Sequence, residues 1–207
     1  MPNTAPTAPA QTLSDDYRRQ LIEKHATDTR WGNTGIAHYA RLLRLINHFN
    51  AKSVLDYGCG KGMVGKKFRE DQTTPGFNFP DVAFYEYDPG IPDKMDDQNL
   101  ADLLISTDVM EHIEPEYLDS VLADMARRTL HAGFILISCV PAIHRLPDGR
   151  NAHLIIEHPN WWIEQLNKYF NVAQAEYHNG ELYTVVMSKK DEDNSRPPVR
   201  QEKLAKP

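Results

Sequence analysis

The chain has 207 residues, 41% hydrophobic and 25% charged, with 3 Trp, 9 Tyr and 7 Phe, enough apolar material for one globular core. No apolar run reaches the roughly 20 residues that span a bilayer, the first twelve residues lack the basic start and apolar centre of a secretory signal, and Cys59 and Cys139 have no C-x-x-C partner. Neither a membrane protein nor an exported, disulfide-framed or cysteine-rich zinc protein is therefore expected, and a reducing cytoplasm fits best. Net charge is −6, and because residues 189–207 carry six Lys/Arg against four Asp/Glu, the remainder sits near −8, which disfavours nucleic acid as a partner without excluding it.

In chain order, residues 1–12 are Pro, Ala, Thr and Gln without periodicity and are expected to be a disordered tail, as are the charged, proline-containing residues 189–207. A single domain is expected over 13–188. It opens with a helical cap over 13–50, where Ser14 suits an N-cap, Asp15 and Asp16 suit a first turn, and Leu13, Tyr17 and Leu21 share a face. After the break Trp31-Gly32-Asn33, a second helix is predicted from Ile36, Tyr39, Leu43 and Ile46, with Leu42, Leu45 and Phe49 widening its apolar face.

The period then changes. SVLDY (53–57), VAFYEY (82–87), DLLIST (102–107) and FILISCV (134–140) read as strands, separated by helices near 62–70 and 116–130. Val172 to Tyr177 and Leu182 to Ser188 flank an Asn-Gly hairpin signal at His178-Asn179-Gly180-Glu181. The predicted architecture is α/β: a mostly parallel sheet with helices on both faces, ending in a C-terminal antiparallel hairpin.

The chemistry concentrates in Ser53-Val54-Leu55-Asp56-Tyr57-Gly58-Cys59-Gly60-Lys61-Gly62, a strand running into a glycine-rich turn. Gly60-x-Gly62-x-x-Gly65 has the spacing of a dinucleotide fingerprint but leaves Asp56, Gly58 and Cys59 unexplained, and Gly60-x-x-x-x-Gly65-Lys66 misses a P-loop because Lys67 stands where Ser or Thr would hold magnesium. Asp56-x-Gly58-x-Gly60-x-Gly62 instead resembles the first motif of the class I S-adenosylmethionine (SAM)-dependent methyltransferases. Two later segments are similar to the same family: VAFYEYDPG, ending on Asp88 and Pro89, and Asp102-Leu-Leu-Ile-Ser-Thr-Asp108-Val-Met-Glu111-His112, near the family's D-x-x-x-x-x-D/E-V-L-E-H. The three cover roughly residues 50–140.

The resemblance implies a Rossmann-like methyltransferase fold with SAM as cofactor. It implies that Asp56 answers the cofactor's ammonium, that Gly58, Cys59 and Gly60 carry its amino-acid part on their backbone, and that Asp88, with Pro89 beside it, takes the ribose hydroxyls. Glu86 is the substitute ribose ligand, Asp108 stands within the third motif, and Trp31 is expected either to close over the cofactor or to anchor the pair of N-terminal helices. Only Pro89 to Ala101 separates the second strand from DLLIST, so the family's third strand and adenine-contacting loop are abbreviated, with Met95, Asp96 and Asp97 left to serve the adenine.

Leu146-Pro-Asp148-Gly149-Arg150-Asn151-Ala-His153, followed by Trp161-Trp162, looks like a segment of small methyltransferases from bacteria and bacteriophages and would face the acceptor. A Pro-Asp-Gly turn and two core tryptophans explain it as well. Methyl transfer needs a base only for a protonated acceptor, and His112 ranks first and His153 second, ahead of Glu111 and His144. No metal is called for. Base-modifying DNA amino-methyltransferases place Asn/Asp-Pro-Pro-aromatic where this chain has Thr107-Asp108-Val109-Met110, and no length remains for a target-recognition domain. A small-molecule, nucleotide or sugar acceptor is expected first, a nucleic acid or protein second, and a SAM-binding protein without catalysis is the alternative of a different class. Oligomeric state is left open.

Overall fold

A computed structural model describes residues 11–95 and 98–190. The elements are α1 (Asp15–Thr27), α2 (Tyr39–Phe49), β1 (Ser53–Tyr57), α3 (Met63–Gln72), β2 (Ala83–Tyr87), β3 (Ala101–Thr107), α4 (Leu118–Arg128), β4 (Thr129–Ser138), α5 (Pro159–Tyr169), β5 (Phe170–His178) and β6 (Glu181–Ser188). They form one six-stranded sheet in the order β2-β1-β3-β4-β6-β5. The first four strands pair in parallel, and β6 pairs antiparallel with both β4 and β5.

Alternation along the strands explains the three layers. Val54, Leu103, Ile105, Phe134 and Leu136 point to one face, where Leu42, Leu45 and Ile46 of α2 and Val64 and Phe68 of α3 cover them. Leu55, Leu104, Ile135 and Ile137 point to the other, under Leu118, Val121, Leu122 and Met125 of α4 and Trp162 and Leu166 of α5. Central parallel strands buried on both sides must be apolar throughout, which is why these read as continuous runs. The chain steps from β1 outward to β2 and then returns to β3 on the other side of β1. Such a reversal leaves a crevice beyond the carboxyl ends of the strands.

Local signals hold at several joints. Ser14 caps α1, its Oγ accepting from Tyr17 N. Asn179 and Gly180 take φ of 51° and 86°, the left-handed pair that a two-residue hairpin requires. Among the described residues no strand lies between β2 and β3, so the abbreviation stands. Asp96 and Asp97 lie outside the described residues, as do 1–10 and 191–207 of the two tails. Of the tail residues described, Lys189 donates to Asn167 O and Lys190 to Arg127 O.

Two expectations need correction. The second helix begins at Tyr39, not near Ile36, which lies in a short 3₁₀ turn and is exposed; its buried face is Leu42, Leu45 and Ile46. The strand expected over 134–140 starts at Thr129, directly after α4, and stops at Ser138. His131 and Gly133 interrupt its apolar pattern, so the first half was hidden in the helix reading. Of the two readings of the Trp161-Trp162 pair, the structure bears out the core one: Trp162 is fully buried and Trp161 packs partly covered beside it, anchoring α5 to the sheet.

Candidate functional site

A cavity lies beyond the carboxyl ends of β1, β2 and β3, and Trp31, Asp56, Gly58, Cys59, Gly60, Asp88, Pro89, Asp108, His112 and His153 all line it. β1 delivers Asp56 to it, 3% exposed. Burial, then the charges of Glu86 and Asp88, push the Asp56 carboxyl up to about 8, so in the free protein it holds a proton at neutral pH.

The glycine loop after β1 is pinned at several points. Gly58 N and Cys59 N donate to Tyr87 O at 2.8 and 3.1 Å, and Gly60 N donates to Asp88 Oδ2 at 2.7 Å. Asp88 also accepts from Gly90 N at 2.8 Å, so its carboxylate ties the β1 loop to the β2 loop while remaining at the cavity wall. Gly60 has φ of 51°, and a Cβ there would stand 2.5 Å from Gly32 O, so only glycine permits the N-terminal segment to press on this loop. The Cys59 thiol is buried and its pKa driven up, which leaves its backbone as its contribution.

Glu86 does not share the crevice with Asp88. The strand ends at Tyr87, so alternation stops before Asp88, and Glu86 turns to Arg69 at 3.3 Å and Lys94 at 3.5 Å outside the cavity. The acceptor-side loop is also corrected. Asp148 and Arg150 are exposed and paired with each other at 2.7 Å, leaving His153 as the residue of that loop which reaches the cavity. Asn151 Oδ1 accepts from Ala142 N and His153 N, closing the loop and setting the His153 backbone.

Asp108 follows β3 with φ of 55°, and burial raises its carboxyl. Three residues on, Glu111 is fully buried; Oε1 accepts from Ser138 N at 3.0 Å, and Oε2 has no hydrogen-bond partner among the described residues. His112 Nδ1 lies 2.7 Å from Ala152 O and His153 Nδ1 lies 2.5 Å from Val140 O. A carbonyl only accepts, so each ring carries a proton on Nδ1, and in the neutral form the lone pair is on Nε2. Burial, then His153, pushes His112 down to about 4, so it is neutral at physiological pH.

The N-terminal segment forms the remaining wall. Ser14 N and Oγ both donate to Glu114 at 2.8 Å, Tyr17 Oη donates to His112 O at 2.7 Å, and Lys61 N donates to Gly32 O at 3.1 Å. Trp31 sets its edge against His112 with ring centroids 5.0 Å apart. Thr12 lines the cavity too. His25 is a residue that motif reasoning missed: it lines the cavity with Nε2 3.9 Å from Asp88 Oδ1, and its Nδ1 has no hydrogen-bond partner among the described residues. Its signal was the i, i+4 series Tyr17, Leu21, His25, which continues the inward face of α1 by one more turn.

No family model matches the sequence, and no curated protein matches it. Solved structures match in fold. PigF with S-adenosylhomocysteine (SAH) is 12% identical with a TM-score of 0.56, covering 86% of this chain and 62% of its own. Human N-acetylserotonin methyltransferase in complex with SAM is 13% identical, TM-score 0.55, covering 87% and 60%. The 1,6-didemethyltoxoflavin-N1-methyltransferase of Burkholderia thailandensis, solved with 1,6-didemethyltoxoflavin and SAH, is 17% identical, TM-score 0.55, covering 89% and 94%. The chain thus spans about three-fifths of the first two and nearly all of the third. It has the Rossmann-like fold of the SAM-dependent methyltransferases.

Proposed function

We propose that the protein transfers a methyl group from SAM to a small-molecule acceptor such as a nucleotide, a sugar or another hydroxyl- or nitrogen-bearing metabolite. The observation that carries this reading is convergence: the glycine loop, two buried carboxylates and two imidazoles with Nε2 lone pairs line one cavity at the sheet's switch point. Asp56 sits at the methionine end, where a cationic ammonium would be answered by its carboxylate. Asp88 stands beside the glycine loop as the ribose contact.

Transfer is an in-line displacement. The acceptor's lone pair attacks the methyl carbon, the carbon–sulfur bond breaks, and the electron pair returns to sulfur, turning a sulfonium into the neutral thioether SAH. The positive charge moves from sulfur to the attacking atom and is spread between them in the transition state, so excluding water favours the step, and the wall built from Thr12, Tyr17, Trp31 and Gly32 supplies that exclusion. His112 and His153 stand at the acceptor end, where Nε2 can receive a proton or orient the attacking atom. The acidic body and the fold neighbours that act on small molecules support a metabolite over a polyanion.

The test is incubation of the full chain with isotopically labelled methyl-SAM and small-molecule extracts, followed by mass spectrometry. Label in a small molecule with matching SAH is the expected result. Label confined to nucleic acid or protein, or SAM binding without any transfer, would overturn the acceptor class or the catalytic reading respectively.

A further inference from the structure

We propose that Glu111, His112 and His153 form a site for a first-row divalent transition cation of the zinc type, placed to bind an oxygen of the acceptor. One ligand atom from each of the three lies within 4.8 Å of the others. Tetrahedral ligands on zinc stand about 3.3 Å apart for bonds of about 2.0–2.2 Å, so side-chain adjustments of an ångström or so would close the set.

Three further observations point to a cation. Glu111 is fully buried, and among the described residues its Oε2 has no hydrogen-bond partner and its carboxyl group has only backbone N–H donors. A carboxyl oxygen left unpartnered in the interior is costly, and a dication bound to it would remove that cost. Both imidazoles give Nδ1 to a backbone carbonyl, at Ala152 and at Val140, which is the outer-shell contact that fixes a ligating histidine and leaves Nε2 for metal. The two carbonyls and the Asn151 bonds to Ala142 and His153 hold the rings on separate, fixed backbone segments. Two nitrogens and one carboxylate oxygen suit zinc, iron(II), cobalt(II) or nickel(II) better than magnesium, which prefers oxygen ligands and water.

Three protein ligands leave coordination positions open, and His112 and His153 border the cavity. The cation would take the oxygen of an acceptor hydroxyl. Its charge lowers the hydroxyl pKa, the proton passes to water, and the oxygen's lone pair attacks the methyl carbon while the carbon–sulfur pair returns to sulfur. No electron is gained or lost by the metal. This deepens the methyltransferase reading by assigning an oxygen acceptor and by making the two histidines ligands rather than bases.

The experiment is equilibrium dialysis of the untagged full chain against Zn²⁺, repeated with Co²⁺ so that d–d absorption reports the coordination. It is run without SAM, beside a separate SAH titration in chelator, so metal binding and cofactor binding succeed or fail independently. One ion per chain is expected, with affinity falling on the order of a hundredfold in His153→Ala and in Glu111→Gln, and by a smaller factor in Asn151→Ala, which leaves all three ligands in place. Both ligand variants should keep the wild-type SAH affinity and thermal melt. His153→Ala tests the site at a residue on the cavity edge even if Glu111→Gln disturbs the fold. No ion held by the wild type, or equal binding in wild type and variants, overturns the proposal.

Discussion

At Asp56, the carboxyl raised to about 8 makes the free site protonated at neutral pH, and a bound ammonium would favour the ionised form. The sign follows: below the raised pKa, SAM binding should expel a proton; well above it the group is already ionised and nothing leaves. Calorimetry of SAM in two buffers of different ionisation enthalpy should show release approaching one proton per SAM near pH 7, fading towards pH 9. Asp56→Asn should abolish the release and weaken SAM by about tenfold or more, since a hydrogen bond to a charged group is worth about 1.5–3 kcal/mol. Release unchanged in Asp56→Asn would move the ammonium elsewhere. The motif residues were legible because a glycine loop and strand-terminal acids depend on local sequence. His25 and the orientation of Glu86 were not, because the first depends on where α1 docks and the second on where β2 stops, facts that no local pattern contains.

At the level of elements, α5 is fastened to the sheet by Trp162, buried at 0% exposure against the face that carries Leu104 and Ile135. Trp162→Ala should cost about 3–5 kcal/mol of stability, and Trp161→Ala clearly less, as read from denaturant midpoints. Equal losses would contradict the assignment of Trp162 alone to the core. The strands β1, β2 and β3 and the hairpin were readable within a residue or two, since apolar runs and an Asn-Gly turn fix them locally. β4 was not, because Thr129-Leu-His-Ala-Gly carries little apolar pattern and becomes strand only by pairing Ala132–Ser138 with β6 and Thr129–Leu136 with β3. α2 was shifted for a related reason: the helix is amphipathic on either choice of face, and docking on Val54 and Phe134 selects Leu42, Leu45 and Ile46.

The described residues form a doubly covered sheet, and the N-terminal segment from residue 11 to the start of α2 returns across the carboxyl ends of its parallel strands. Ser14 on Glu114, Tyr17 on the His112 carbonyl and Gly32 on Lys61 fasten this segment to two different loops of the cavity. Glu114→Gln keeps the side chain's shape but weakens the two Ser14 bonds. Hydrogen exchange should then quicken in residues 15–27 and stay unchanged in β1, β3 and β4, with faster SAH dissociation. Quickening throughout the sheet would show that the segment is part of the core rather than a cover.

SAM is expected to occupy this cavity with the glycine loop at its methionine end, and titration calorimetry of SAH into the full chain tests that placement. One SAH per chain is expected for the wild type. Binding should be lost or weakened at least tenfold in Gly60→Ala, whose Cβ meets Gly32, and in Asp88→Ala, which frees the loop, provided thermal melts show both folded. Glu86→Ala should bind like the wild type, because Glu86 faces Arg69 and Lys94 outside the cavity. No heat with the wild type, or equal affinity in all four proteins, would contradict the account.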